Sequence, residues 1–88
     1  MPTDGDPLVV PVSGTPGLYI HLGRLLYERR MSLAEFSRRI GIKDDNVRVL
    51  RDGGSKAIRF RNMAAICEVL ECQPGDLMTY EPPDHDGP

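Results

Sequence analysis

Residues Ser32–Gly53 read SLAEFSRRIGIKDDNVRVLRDG and carry the signals of two short helices separated by a glycine. The first four residues form a capping box, in which the serine oxygen accepts an exposed backbone N–H and the glutamate reaches back to the cap. Leu33, Phe36 and Ile40 then fall on one helix face. Gly41 accepts the left-handed backbone conformation that ends a helix. The pattern predicts one complete helix before this glycine.

A second helix is predicted from about Asp44 to Asp52, with Val47 and Leu50 facing inward and Gly53-Gly54 closing it. Two short helices joined by a tight glycine turn form a helix-turn-helix unit. In such a unit the second helix exposes its N-terminal face and fits a DNA major groove about 12 Å wide.

Helical periodicity continues on both sides of this unit. An earlier helix is indicated by four leucines at i, i+4, i+7 and i+8, namely Leu18, Leu22, Leu25 and Leu26. Thr15-Pro16 is expected to open it. A later helix is predicted from about Phe60 to Glu71, followed by a final helical turn that buries Leu77. We therefore expect an all-α, compact bundle of four to five short helices.

The two ends of the chain differ in composition from its middle. Residues 1–17 hold four prolines and residues 81–88 read EPPDHDGP. Both are expected to be flexible or extended tails around a domain at 18–80. The run Leu8–Val12 is apolar and β-branched, and it can form an edge strand or a dimer arm. Met78–Tyr80 is its expected pairing partner.

Charge is unevenly distributed in a chain whose formal net charge is −2. All eleven Lys and Arg lie between Arg24 and Arg61 together with only five acids, which gives this segment a formal charge of +6. The other eight acids lie towards the two ends. A basic block in an otherwise acidic chain indicates an anionic partner, of which DNA is the usual one.

Several other classes of protein are disfavoured by these 88 residues. The spacing of Cys67 and Cys72 matches neither a disulfide framework nor a zinc site, so packing is their expected role and no metal or other cofactor is expected. No nucleophile–base pair or phosphate-binding glycine loop is present, so an enzyme is not expected. No apolar run reaches the roughly 20 residues of a membrane span, and no secretory signal opens the chain. We expect a cytoplasmic protein.

Residues 32–53 also resemble the helix-turn-helix of the lambda-repressor and Cro family. The likeness continues through Ile58-Arg59-Phe60 and Met63–Leu70. The ending Cys72-Gln73-Pro74-Gly75-Asp76-Leu77 is similar to that of small single-domain transcriptional regulators. The resemblance implies a lambda-repressor-like fold and sequence-specific binding of double-stranded DNA by helix 44–52. It further implies a transcriptional regulator, more specifically a repressor.

The resemblance also implies which side chains meet DNA. They comprise base-reading positions of the second helix, their neighbours on the same face, and basic residues where related proteins contact the flanking phosphate backbone. These are, respectively, Asp44, Asp45 and Val49; Lys43, Asn46 and Arg48; and Lys56, Arg59 and Arg61.

Two interpretations stay open at some of these positions. Asp44 and Asp45 can cap the helix and favour its positive dipole end, or accept a hydrogen bond from cytosine N4. Val49 can touch a thymine methyl group or lie half-buried. Family members usually carry glutamine, which anchors the phosphate backbone, where this chain has Leu33.

Two hypotheses about function follow. The first is a DNA-binding regulator, acting as a homodimer on half-sites one helical turn, about 34 Å, apart. The second is a protein-interaction module, such as an antitoxin-like partner, that keeps the fold with weak or no DNA binding. Leu33, the Asp44-Asp45 pair and the acidic tails favour this second hypothesis. The candidate partners are therefore double-stranded DNA, a second copy of the chain and another protein, and no membrane is expected.

Overall fold

The computed structural model describes residues 5–83, and in them five helices accompany a three-stranded antiparallel sheet. The helices are α1 (Leu22–Glu28), α2 (Leu33–Ile40), α3 (Asp44–Arg51), α4 (Phe60–Leu70) and α5 (Pro74–Leu77). The strands are β1 (Val10–Pro11), β2 (Leu18–Ile20) and β3 (Met78–Tyr80). The expected helical bundle is present, but the all-α prediction needs correction because a small sheet joins it. The outer parts of both expected tails, 1–4 and 84–88, lie outside the described residues.

The prediction that the first helix opens at Thr15-Pro16 is wrong. Leu18 belongs to β2, whose residues pair on one side with β1 and on the other with β3. The helix begins only at Leu22, after the His21 N–H has donated to the Leu77 carbonyl at 2.7 Å. Extended backbone at residues 18–20 satisfies ladder hydrogen bonds to both neighbours, which a helix at this point would forgo.

The apolar run near the N-terminus does form an edge strand, since β1 lies at one side of the sheet. Its expected pairing with Met78–Tyr80 is wrong, because β2 lies between them and β3 pairs with β2. Pro11, which has no N–H, pairs with Tyr19 at this edge. Val9 just before the strand is buried. Val10 also packs against the hydrophobic core, so this part of the expected tail belongs to the folded structure.

The helix-turn-helix unit forms as the sequence predicts. The Ser32 Oγ accepts the N–H of Glu35 at 3.1 Å, and Gly41 ends α2 with a φ of 74°. The Glu35 carboxylate pairs with Arg39 at 3.5 Å instead of returning to the cap, so only half of the capping box is made. The buried Ser37 hydroxyl donates to the Ile42 carbonyl, which fixes the turn between α2 and α3.

A single hydrophobic core holds α3 in place. Its buried members come from β2 and all five helices, namely Ile20, Leu22, Leu25, Leu26, Phe36, Val47, Ile66, Leu70 and Leu77. Val47 is the residue through which α3 joins this core, and Leu50 and Leu33 pack against it while half-buried. Because α3 is anchored along one side only, its opposite face stays free for solvent or a ligand. No helix in residues 5–83 is long and apolar enough to cross a membrane.

The end of α3 also docks on the N-terminal strand. Gly53 follows the helix with a φ of 85°, and its carbonyl accepts the N–H of Ser13 at 2.8 Å. A Cβ at Gly53 would collide with the carbonyl oxygen of Pro11. Only glycine therefore allows both the left-handed turn and this close backbone approach.

Candidate nucleic-acid interface

The outer face of α3 presents every helix residue that the sequence proposed for DNA contact. Six residues are exposed there, namely Lys43, Asp44, Asp45, Asn46, Arg48 and Val49, whereas Val47 between them is only 1% exposed. Val49 is 47% exposed, so its methyl groups are accessible to a partner. The arrangement is that of a short helix with one buried anchor and an open polar face.

Neither aspartate at the start of α3 makes a capping hydrogen bond. Lys43 occupies the N-cap position, and no side chain caps the helix. Asp45 instead pairs with Arg48, with Oδ1 and Nη1 3.3 Å apart and the two side chains 91% and 52% exposed. Asp44 has no side-chain partner among residues 5–83. The two aspartates therefore do not cap the helix by hydrogen bonds. Their negative charges still lie at the positive end of the helix dipole, where they are favourable.

A cleft of about 870 Å³ separates α3 from the loop before α4 and the first turn of α4. Five of the nine predicted contact residues line it: Lys43, Asn46, Val49, Arg59 and Arg61. The other four, Asp44, Asp45, Arg48 and Lys56, do not line the cleft. The fold thus brings the N-terminal parts of α3 and α4 to one concave surface, although they lie apart in the sequence.

The basic side chains around this cleft lack acidic partners. Elsewhere in the described chain most arginines are neutralised, as in the pairs of Arg24 with Asp6, Arg39 with Glu35 and Arg51 with Asp52, although Arg30 and Arg38 form no salt bridge. By contrast, four basic residues of the predicted interface form no salt bridge within residues 5–83, namely Lys43, Lys56, Arg59 and Arg61. No acidic residue occupies the first turn of α4. This surface therefore carries uncompensated positive charge that suits an anion.

Sequence reasoning missed Phe60. The ring is 93% exposed and stands between Arg59 and Arg61 at the first position of α4. A phenylalanine packed in the core would have continued the inward stripe three residues before Met63. No local signal distinguishes this ring from a buried one, because neighbouring side chains at a helix start point in different directions. Asn62, which lines the cleft, was also missed.

Comparison with known proteins identifies the family of the chain. Residues 21–83 match the family of Cro/C1-type HTH DNA-binding domains. The chain is also 41% identical over 70 residues to YozG of Bacillus subtilis (strain 168), an uncharacterized HTH-type transcriptional regulator, and that alignment covers 80% of this chain and 83% of YozG. The family match spans all five helices and all nine predicted contact residues.

Proposed function

Since the chain belongs to the Cro/C1-type helix-turn-helix family and is a DNA-binding transcriptional regulator, we propose that it represses transcription by binding a promoter site with α3 in the major groove. The observation that carries the proposal is the cleft at which exposed residues of α3 meet the unpaired arginines of α4. Occupying a promoter in this way excludes other proteins from the same groove. We further propose that this role involves no catalysis, and that the protein works in the cytoplasm beside its DNA.

Base reading is assigned to the exposed face of α3. An arginine such as Arg48 makes its best base contact with the O6 and N7 atoms of guanine, Asn46 suits adenine, and Val49 suits a thymine methyl group. The ion pair of Arg48 with Asp45 is highly exposed, and such pairs contribute about 1 kcal/mol at most. Arg48 therefore exchanges Asp45 for a base at little cost. Asp44 and Asp45 are then free to accept from cytosine N4.

Phosphate contacts are assigned to the second wall of the cleft and its surroundings. Arg59 and Arg61 flank the start of α4, Lys56 lies in the loop before it, and Lys43 precedes α3. Charges without acidic partners release counterions from DNA without first breaking a salt bridge. The exposed ring of Phe60 lies between two of these cations, where it can cover the apolar face of a deoxyribose.

The unit that binds DNA is proposed to be residues 18–80, with the residues on either side supporting it. One such unit reads one half-site. We propose a homodimer that binds two half-sites about 34 Å apart, because a helix-turn-helix dimer reads successive major-groove turns on one side of the duplex.

Fluorescence anisotropy of the purified chain against a pool of genomic DNA fragments tests the proposal. Binding to a subset of fragments that survives physiological salt is expected, since base contacts add to the phosphate term. Binding that disappears with salt for all fragments would leave only a non-specific basic patch. No binding at low salt would favour a protein-interaction module instead. Repression itself is measured with a reporter placed behind a selected fragment, where expression should fall when the protein is supplied.

A further inference from the structure

The chain's two cysteines meet at the C-terminal end of α4. Glu71 takes up a left-handed conformation with a φ of 53°, which turns the chain back towards the helix. The N–H groups of Glu71 and Cys72 both donate to the Cys67 carbonyl, the latter at 3.0 Å. In helix ends of this kind, the residue after the left-handed position returns to contact the side chain five residues earlier. The backbone therefore sets Cys72 beside Cys67.

The two thiols are close neighbours and both remain reachable. Each is a free, half-buried cysteine. Burial raises the pKa of the Cys72 thiol above its usual range, and the adjacent Cys67 thiol raises it further. Arg29, whose Nε donates to the Leu70 carbonyl at 2.7 Å, counteracts this by favouring the Cys72 thiolate, while Asp76 disfavours it.

A metal does not explain the pair well. Structural zinc takes four ligands, whereas no group of three or more His, Cys, Asp or Glu side chains suited to a metal occurs among the residues that the structure describes. Two neighbouring thiols without further metal ligands are instead suited to forming a disulfide bond with each other.

We propose that Cys67 and Cys72 form an intramolecular disulfide by exchange with a low-molecular-weight disulfide. The thiolate of one cysteine attacks a sulfur of the small disulfide, so that a mixed disulfide forms and one small thiol leaves. The thiolate of the other cysteine then attacks the protein sulfur of the mixed disulfide and releases the second small thiol. Two protons and two electrons pass from the protein to the reagent, whose S–S bond becomes two thiols.

The fold should favour this bond more than the unfolded chain does. The αL turn at Glu71 already holds residues 67 and 72 together, whereas the unfolded chain must find that approach by chance. By thermodynamic linkage, if folding raises the equilibrium constant for disulfide formation by a certain factor, the disulfide raises the equilibrium constant for folding by the same factor. A tenfold preference corresponds to about 1.4 kcal/mol. The cross-link lies at the opposite end of α4 from Arg59 and Arg61, so this inference stands independently of the proposed DNA contacts.

The test equilibrates the full chain with mixtures of oxidised and reduced glutathione, quenches with acid and counts free thiols and adducts by mass spectrometry. We expect the folded chain to lose both thiols without retaining glutathione, with an equilibrium constant at least tenfold above that of the chain in concentrated urea. A ratio of one or less would overturn the proposal. So would a chain that keeps both thiols, stops at a mixed disulfide, or forms covalent dimers on a non-reducing gel.

Single variants give the matched control. Cys67→Ser and Cys72→Ser should each stop at one glutathione adduct, because the second sulfur is missing. If either variant fails to fold, the ratio measured on the unaltered chain still decides. The midpoint temperature of unfolding gives a second readout, since it should rise on oxidation and return when a reductant is added. A midpoint that falls on oxidation would contradict a bond that fits the folded chain.

Discussion

Asp45 pairs with Arg48 at 3.3 Å on the exposed side of α3, so this candidate base-reading arginine is already paired in the free protein. The pair lies within one turn of the helix, and both side chains are exposed to solvent. Its charges therefore interact weakly and are screened by salt. This makes Asp45 a competitor of DNA for the same guanidinium group.

Replacing Arg48 by alanine should reduce affinity for the preferred DNA site by about 1–3 kcal/mol and relax the preference at one base pair. Asp45→Ala should raise affinity for non-specific DNA at low salt, because it removes a carboxylate that repels phosphate and frees Arg48, and it should relax the preference at the base pair whose cytosine Asp45 contacts. Anisotropy titrations of both variants at two salt concentrations measure these effects. Arg30→Gln, which removes one charge from an exposed residue outside the cleft, is the control. Unchanged affinity in Arg48→Ala would exclude Arg48 from the interface.

Lys56→Ala should weaken binding to all DNA sequences alike. A lysine that contacts phosphate releases about one counterion, so the slope of log affinity against log salt should become shallower by about one. The measurement is a salt titration with a specific and a non-specific duplex in parallel. An effect confined to the specific duplex would mean that Lys56 reads bases.

Phe60→Ala should lower DNA affinity without changing the salt slope, because the ring carries no charge. The folded protein should lose little stability, since the side chain is 93% exposed and has few internal contacts to lose. Phe60→Leu keeps an apolar side chain and should retain part of the affinity. Urea unfolding and DNA titration of the same samples separate the two effects. Loss of stability with unchanged affinity would contradict a DNA contact.

Three glycine-to-alanine variants should rank in stability according to local geometry. Gly75→Ala should leave the stability unchanged or raise it by up to about 1 kcal/mol, because Gly75 lies within α5 and its new Cβ would meet no atom from outside its own turn. Gly41→Ala should cost about 1–2 kcal/mol for its left-handed backbone alone. Gly53→Ala should cost more than Gly41→Ala, because a clash with Pro11 adds to the same backbone strain. Urea unfolding curves give the ranking, and a Gly53 variant as stable as the Gly41 variant would disprove the close approach.

Asp6 should make stability depend on pH in the acid range. Its carboxylate accepts the Leu8 N–H at 2.9 Å and pairs with Arg24 at 3.0 Å, and these contacts, the Leu8 bond first, hold its pKa below the ordinary value of 3.8. The ionised form thus stabilises the fold at a pH above about 4, and the contribution is lost as the pH falls through the lowered native pKa. Asp6→Asn should be less stable than the parent at pH 6, and the difference should shrink below about pH 4. Urea midpoints across this range measure it, and a constant difference would mean that the charge of Asp6 is irrelevant.

Local signals in the sequence were enough to predict the central helices. The Ser32 cap and the left-handed Gly41 depend on residues within one turn of themselves, and both are confirmed. The strand at residues 18–20 could not be read in the same way. Leu18 fits the leucine spacing of α1, and what makes it a strand is its pairing with Tyr80, which no local pattern records.

The candidate interface was predictable as a set of residues but not as a surface. The resemblance proposed the residues of α3 together with Lys56, Arg59 and Arg61, and their contacts with DNA stay a prediction. Whether a basic side chain remains without an ion pair depends on whether an acidic side chain lies within reach of it in the folded chain. Arg48 pairs with Asp45 three residues earlier in the same helix, which the sequence spacing alone allows, whereas the lack of an acidic partner for Arg59 and Arg61 depends on which elements lie beside them in the fold.

The pairing of β2 with β3 joins the chain before the helices to the chain after them. Leu18 pairs with Tyr80, so the segment between β2 and β3, which contains α1 to α5, is closed into a single large loop. Closing such a loop is entropically costly, and contacts so distant in sequence slow folding relative to purely local helical bundles. During synthesis, the nascent chain cannot complete this closure until Tyr80 has left the ribosome. Pairing of β3 with β2 is therefore a late step of folding, and a chain cut short before β3 would leave β2 as an exposed edge available for aggregation.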